Sequence, residues 1–228
     1  MHIGTKLKIP LLISYTLITL LIMFVVISKT TAIDFTIKAV PTLILVFLYY
    51  LSSQKRQKLI LVFFIVTFIA DCISTQKQLF ILATFTYGFS NVILALIIFQ
   101  ELKSESVKLI LKYLALFIVL LTIILIFVIE DAGHYLVSIV FHGVAVCLAL
   151  SVCLTNYLNT MIIANKIILI GIGFRVFSDL AYLIVISDQS NTLFYAISLG
   201  VYYLSKYLFY HGFILKEREN INIQNELK

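Results

Sequence analysis

The sequence predicts an all-α integral membrane bundle of eight transmembrane helices. Of its 228 residues, 62% are apolar and 12% are charged, whereas about 25% are charged in a typical soluble domain. The mean hydropathy is +1.09. Too few polar side chains remain to cover a water-facing surface, so the composition excludes a soluble enzyme, a disordered chain and a disulfide-stapled secreted domain. Apolar runs of bilayer-spanning length, about 20 residues, recur along the whole chain.

The apolar runs predict the spans in chain order, and each ends at a short polar break. The predicted spans are 9–28, 33–51, 58–75, 79–99, 107–129, 135–154, 166–187 and 192–215. The breaks between them are 28–31, 52–56, 76–78, 101–104, 130–133, 156–166 and 187–190. None of these breaks is long enough to fold independently. Residues 1–228 are therefore predicted to form a single transmembrane domain, with the function inside the bundle.

The first run follows two lysines and has two interpretations. Its apolar core, 11–27, is longer than the roughly 7–15 apolar residues of a secretory signal peptide. Lys29 also occupies a position where a cleavage site needs small residues. We predict a retained span, and cleavage after Ala32 is the alternative.

Basic residues alternate strongly between the two predicted sides. One side carries only two basic residues, Lys29 and Lys77. The other side carries twelve: Lys6, Lys8, Lys55, Arg56, Lys58, Lys103, Lys108, Lys112, Lys166, Lys216, Arg218 and Lys228. Lys and Arg concentrate on the cytoplasmic side of membrane proteins, so both termini are predicted to be cytoplasmic. The net charge of +6 then indicates loops beside anionic lipid, in the cell membrane, and no nucleic-acid partner. In a prokaryote this is the cytoplasmic membrane.

Apart from the basic residues assigned to the two sides, five charged residues lie inside the predicted spans and away from their ends. They are Lys38, Asp71, Arg175, Asp179 and Lys206. Each costs about 2.5 kcal/mol or more in a bilayer, so each is a functional hypothesis. Counted from the span ends, all but Lys206 fall in the outer half and form one polar layer. Lys206 lies further in, where it either joins this site or extends toward the cytoplasmic interface.

A spacing of 108 residues recurs between two pairs of residues. It separates Asp71 from Asp179, and also Tyr87 from Tyr195. This predicts two parallel four-helix repeats whose aspartates face each other across a central cavity. The alternative is a structural layer in which Arg175–Asp179 and Lys38–Asp71 pairs only join helices. Buried ion pairs seldom add net stability, which disfavours that alternative.

Metal and disulfide chemistry are not predicted. The three cysteines lie in apolar runs without CxxC spacing and behave as small hydrophobic residues. His134 and His142 fall near the start of the sixth span and His211 closes the eighth, without HxxxH or HExxH spacing. We therefore expect no metal site and no cofactor.

Several short stretches carry a family resemblance over most of the chain. They are Lys-Ala-Val-Pro at 38–41, Ile-Ala-Asp at 69–71, the spaced residues Gly88, Val92, Ala95 and Phe99, the set Gly171, Ser178 and Asp179, and the segment 202–206. These stretches resemble motifs of the YhhN-type membrane proteins, eight-span enzymes that include the lysoplasmalogenases. The resemblance implies hydrolysis of the vinyl-ether bond of a lysoplasmalogen to a fatty aldehyde and a glycerophospho-base. It also implies that Asp71 and Asp179 are catalytic.

This chemistry needs two carboxyl groups in different protonation states, one neutral as the acid and one ionised. Protonation of the alkene carbon produces an oxocarbenium ion, which water then captures. On this hypothesis Asp179, beside Arg175, is the ionised base and Asp71 is the acid, with swapped roles left open. Lys38 or Arg175 would hold the lipid phosphate. The residues predicted to contact the lyso-phospholipid are Lys38, Arg175, Tyr87, Asn91, Tyr202 and Lys206.

A second class of function uses the same charged layer. A transporter of small solutes or lipids would couple transport to the layer, with helix breaks at Pro41, Gly171 and Gly173. A metal-dependent lipid amidase is a third hypothesis, and the sparse histidines argue against it.

Overall fold

The computed structural model describes residues 3–28, 35–187 and 192–226. Within them the chain forms eight α-helices, and short 3₁₀ turns precede four of these. The helices are α1 Ile3–Ser28, α2 Val40–Ser52, α3 Lys58–Ser74, α4 Phe80–Phe99, α5 Val107–Ala132, α6 Leu136–Asn159, α7 Ile163–Ser187 and α8 Thr192–Glu226. The predicted all-α bundle is confirmed, and each helix coincides with one apolar run.

Four stretches of helix are long and apolar enough to cross a membrane. They are Leu7–Ser28, Phe80–Phe99, Ser104–Phe127 and Gly133–Asn159. Their outer faces are apolar, as the side chains of Phe127 and Val137 show with 81% and 71% exposure. A surface of this kind is compatible with a lipid environment and unfavourable in water.

The helices α1 and α8 extend furthest beyond the predicted spans. α1 begins at Ile3 and α8 continues to Glu226, because polar residues such as Lys, Glu, Arg and Gln continue a helix as readily as apolar ones. The predicted helix breaks at Gly171 and Gly173 are wrong, since α7 runs through both without interruption. Pro41 lies in the first turn of α2, where its missing N–H breaks no helical hydrogen bond.

Some predicted features fall outside the described residues. These are the cleavage point after Ala32 and most of the breaks at 28–31 and 187–190. The remaining predicted breaks are all described, and they coincide with the ends of helices.

Hydrogen bonds between helices define their relative directions. Ser178 Oγ donates to the Ser198 carbonyl at 2.9 Å, and Lys216 Nζ donates to Asn165 Oδ1 at 2.7 Å. Residues early in α7 therefore meet residues late in α8, so the two helices are antiparallel. Tyr15 on α1 reaches the Tyr203 carbonyl of α8 at 2.6 Å, and α1 contacts only α2 and α8 extensively among the described elements.

The loops with many basic residues meet at one end of the bundle. Glu217 of α8 accepts hydrogen bonds from Ser53 Oγ at 2.7 Å and from the Gln54 N–H at 2.6 Å. Lys216 pairs with the Glu101 carboxylate. These contacts join the loop after α2, the loop after α4 and the late part of α8. We call this the basic end, defined by residues 53–58, 100–108, 159–166 and 216–218.

An aromatic core fills the bundle between α2, α3 and α8. Phe63 packs edge-on against Phe209 and Phe213, with ring centroids 5.7 and 6.2 Å apart. Tyr49 and Phe64 complete this core, and both are at most 1% exposed.

Candidate functional site

A cavity of about 540 Å³ lies among α3 to α8. Most of its wall is Leu, Ile, Val and Phe side chains. Its polar lining consists mainly of Lys38, Asp71, Ser74, Thr84, Tyr87, His142, Arg175, Ser178, Asp179, Tyr182, Tyr195, Ser198, Tyr202 and Tyr203. Leu120 and Ile123 of α5 line the cavity and are each 48% exposed.

Asp71 is a buried carboxylate on α3 with four hydrogen-bond donors. Lys206 Nζ lies 2.8 Å from Oδ2, and Thr42 Oγ1 donates to the same oxygen. Tyr202 and Tyr87 donate their hydroxyls to Oδ1 at 2.6 and 2.9 Å. Because an ionised carboxylate only accepts hydrogen bonds, four donors and no acceptor match that form of the group.

Asp179 on α7 is the more accessible of the two carboxylates. Its side chain is 31% exposed, against 3% for Asp71. His142 Nε2 lies 3.1 Å from Asp179 Oδ2, and Arg175 Nε lies 3.5 Å from the same oxygen. The other ring nitrogen of His142 is buried without a hydrogen-bond partner in the described part of the chain. A proton can therefore be held between His142 and Asp179 at the cavity wall.

Arg175 connects the surroundings of the two aspartates. Its guanidinium carbon lies 4.4 Å from the Tyr202 ring centroid and 5.0 Å from that of Tyr87, which are cation–π distances. The same two tyrosines donate hydrogen bonds to Asp71. Asp71 thus orients the rings, the rings hold Arg175, and Arg175 faces Asp179.

Lys38 lies in the 3₁₀ turn before α2, on the wall of the same cavity. Its Nζ donates to the Tyr195 hydroxyl at 2.8 Å. Its backbone carbonyl accepts a hydrogen bond from Tyr203 at 2.9 Å. Lys38 as a whole is only partly buried and lines the cavity, so its side chain is within reach of an anion there.

The structure brings most of the predicted site residues to one cavity. Asp71, Asp179, Lys38 and Arg175 all line it, together with Tyr87 and Tyr202. Asn91 does not line it: this side chain is 2% exposed on α4, and its Nδ2 has no hydrogen-bond partner among the described residues.

Lys206 lies behind Asp71 and not on the cavity wall. Of the two alternatives predicted for it, extension toward the cytoplasmic interface is not observed, because its side chain is 1% exposed and its amino group is bound to Asp71. The predicted structural pair between Lys38 and Asp71 is likewise replaced, since the ammonium that contacts Asp71 is that of Lys206. From the sequence one can count how deep a residue lies along its own helix, but not which side chain of another helix it faces. The contact between Lys206 and Asp71, which are 135 positions apart, could therefore not be predicted.

The two tyrosine–aspartate pairs of the predicted repeat differ in their contacts. Tyr87 donates to Asp71 at 2.9 Å, whereas the Tyr195 hydroxyl bonds with Lys38. The duplication itself stays a prediction.

Sequence reasoning did not assign His142 or Thr42 to the site. His142 carried a usable signal, because it is an ionisable residue inside an apolar run, the same criterion that selected the aspartates. Thr42 carried no signal, since threonine is ordinary in membrane helices. In the described residues no three His, Cys, Asp or Glu side chains lie close enough together to hold a metal ion.

Fold and site together define a class: a bundle of helices, several of membrane-spanning length, with a buried charged cluster at an apolar cavity. No known protein family, curated protein or solved structure matches the chain. The resemblance to the YhhN-type proteins therefore rests on the sequence motifs alone.

Proposed function

We propose that the chain is an eight-span membrane protein with its basic end in the cytoplasm, and that it is a lysoplasmalogenase-like hydrolase. Two features support the orientation. The loops predicted to be cytoplasmic meet at one end of the bundle, and positive charge concentrates there, as it does on the cytoplasmic side of membranes. α2 is short, but with the preceding turn it forms an apolar helix from Ile37 to Ser52.

The observation that carries the enzymatic proposal is the shape of the cavity. It joins a largely apolar wall, part of it from α5, to a cluster that contains two carboxylates and the cations Lys38 and Arg175. Its volume of about 540 Å³ falls in the range of about 300–1,000 Å³ that is typical of small-molecule sites. A lipid with one chain and one charged head matches this combination.

The charged groups favour one way of placing the substrate. Arg175 is 4% exposed and is held between two tyrosine rings and Asp179, so it is poorly placed to bind a phosphate. Lys38 is more accessible and is our candidate for the phosphate contact. The vinyl ether, a short distance along the lipid, would then lie near Asp179, with the alkenyl chain along α5.

The contacts also favour a revised division of roles. Asp71 is surrounded by four donors and is a poor proton donor. We assign the proton to the His142–Asp179 pair, which faces the cavity, and we assign to Asp71 the positioning of Tyr87 and Tyr202. Asp179 remains a catalytic residue in this scheme.

The reaction then proceeds in three balanced steps. The pair transfers its proton to the alkene carbon that is not bonded to oxygen, which leaves an oxocarbenium ion beside the Asp179 carboxylate. Water attacks this cation and returns a proton to the pair. The resulting hemiacetal collapses to a fatty aldehyde and the free alcohol of the glycerophospho-base. One water molecule is consumed overall.

A direct test measures aldehyde release by purified protein in detergent supplied with a lyso-vinyl-ether phospholipid. We expect Asp179→Asn to lower the rate by 10²-fold or more, in line with the contribution of general acid catalysis. Glu105→Gln is the matched control, because Glu105 is an exposed acid at the basic end. An acyl lyso-lipid without the vinyl ether should release no aldehyde.

The same measurement separates the hydrolase from the transporter. Full activity in Asp179→Asn would refute the proposed mechanism. Absence of aldehyde release by the wild type, together with proton-gradient-dependent uptake into sealed vesicles, would replace the hydrolase by a transporter.

A further inference from the structure

We propose that a second groove, between α1, α2 and α8, binds an anionic phospholipid of the cytoplasmic leaflet. The groove has a volume of about 200 Å³ and is lined by ten residues, Lys8, Ile9, Leu12, Leu48, Tyr207, Tyr210, His211, Ile214, Leu215 and Arg218. It shares no lining residue with the larger cavity. The proposal rests on the membrane orientation given above and is independent of the hydrolase activity.

The charge of the groove selects the ligand. Lys8 of α1 and Arg218 of α8 both line it, and His211 adds a third group that can carry positive charge. No acidic side chain is part of the lining. Neither Lys8 nor Arg218 has an ion-pair partner among the residues whose side chains the structure describes. Two unneutralised cations at one groove favour an anionic ligand.

The rest of the groove favours a lipid over a soluble anion. Leu12, Leu48 and Ile214 supply an aliphatic surface beside the cations. The rings of Tyr207 and His211 stack in parallel, with centroids 6.1 Å apart and planes 5° apart. Basic and aromatic side chains next to an aliphatic surface are typical of the interface where a head group meets its acyl chains.

Because of the position of the groove, a bound lipid would connect α1 to α8. Among the described elements, α1 packs only against α2 and α8 to any extent, and the groove lies between these three helices. Lys8 belongs to the start of α1 and Arg218 to the late part of α8, so one phosphate would bridge the two helices at the basic end. In the proposed orientation this end faces the cytoplasmic leaflet, which carries the anionic lipids.

Native mass spectrometry of the purified protein with equimolar phosphatidylglycerol and phosphatidylcholine tests the proposal. We expect the wild type to retain phosphatidylglycerol preferentially. The double variant Lys8→Gln/Arg218→Gln should lose this preference by roughly 25-fold, at about fivefold for each cation near a membrane surface. Lys103→Gln/Lys108→Gln removes two exposed cations from the same end and should keep it.

Three outcomes would overturn the proposal. They are equal retention of both lipids by the wild type, an unchanged preference in the Lys8/Arg218 variant, and complete displacement of the lipid by soluble glycerol phosphate, which would indicate a site for free phosphate. Aldehyde release is measured on the same samples, so that a failure of the lipid-binding proposal can be distinguished from a failure of the hydrolase proposal. Because Arg218 is exposed and Lys8 is partly exposed, both substitutions are compatible with folding, and a melting curve checks this.

Discussion

Substitution of Lys206 by Met tests the buried charge network. The Lys206 side chain is 1% exposed and the Asp71 side chain is 3% exposed, and Lys206 Nζ lies 2.8 Å from Asp71 Oδ2. Met has similar length and no charge, so the variant leaves Asp71 buried with three neutral hydroxyl donors. Removal of one partner of a buried ion pair costs about 3–5 kcal/mol, because the remaining charge is uncompensated.

This cost predicts a large shift in melting temperature. For a chain of this length each kcal/mol lowers the melting temperature by about 2–4 °C, so we expect a drop of about 6–20 °C. A thiol-reactive dye can follow unfolding in detergent, because Cys147 and Cys153 are free and buried in the folded protein. Lys112→Met on α5 is the control, since Lys112 is exposed and its loss should change the melting temperature little.

The double variant Lys206→Met/Asp71→Asn identifies the cause of the shift. If the uncompensated carboxylate is responsible, neutralising Asp71 restores part of the lost stability, with a coupling energy of about 0.5–3 kcal/mol. A drop below about 2 °C in Lys206→Met, or a double variant as unstable as the sum of the single ones, would refute the reasoning.

Four further variants test packing and helix contacts by the same melting assay. Gly212→Ala places a methyl group 2.6 Å from Ile168 Cγ1 and should destabilise the protein by about 1–3 kcal/mol. In Gly173→Ala the added methyl group meets no atom within 4 Å, so this variant should be neutral or more stable by up to about 1 kcal/mol. Equal effects of the two substitutions would contradict the packing of α7 on α8. Glu217→Ala removes the acceptor that holds the loop after α2, so we expect a loss of about 1.5–3 kcal/mol and faster proteolysis within 53–57; an unchanged cleavage rate would contradict this. Ser198→Ala removes a 3.0 Å bond to α7 and should cost about 0.6 kcal/mol, the average for such bonds between membrane helices; a cost above about 2 kcal/mol would indicate a different role.

Predictions made along the chain agree well with the structure. The eight apolar runs coincide with eight helices because apolar runs and polar breaks are local properties. α8 shows the limit of this rule, since hydropathy ends at 215 while the helix continues to Glu226. Hydropathy reports where a bilayer could lie, and helix formation depends on backbone preferences that Lys, Glu and Gln also satisfy.

The candidate site was predictable in part. Asp71, Arg175 and Asp179 were selected because charge is rare in apolar runs, and all three line one cavity. The i,i+4 contact between Arg175 and Asp179 follows from helix geometry. His142 meets the same criterion, because it is an ionisable residue inside an apolar run, and its contact with Asp179 is made between two helices.

By itself, the sequence determined where the helices lie, that the chain suits a membrane, and which few charges interrupt its apolar runs. Only the tertiary structure decided how those charges pair: Lys206 with Asp71, His142 with Asp179, and Lys38 with Tyr195. The physical reason is geometric. The depth of a residue in the bilayer follows from its position along one helix, so it can be counted from the sequence. Contacts between helices depend instead on the rotation of each helix about its axis and on which helices are neighbours. Both are settled by packing among residues far apart in the chain, such as the Asp71–Lys206 pair, 135 positions apart.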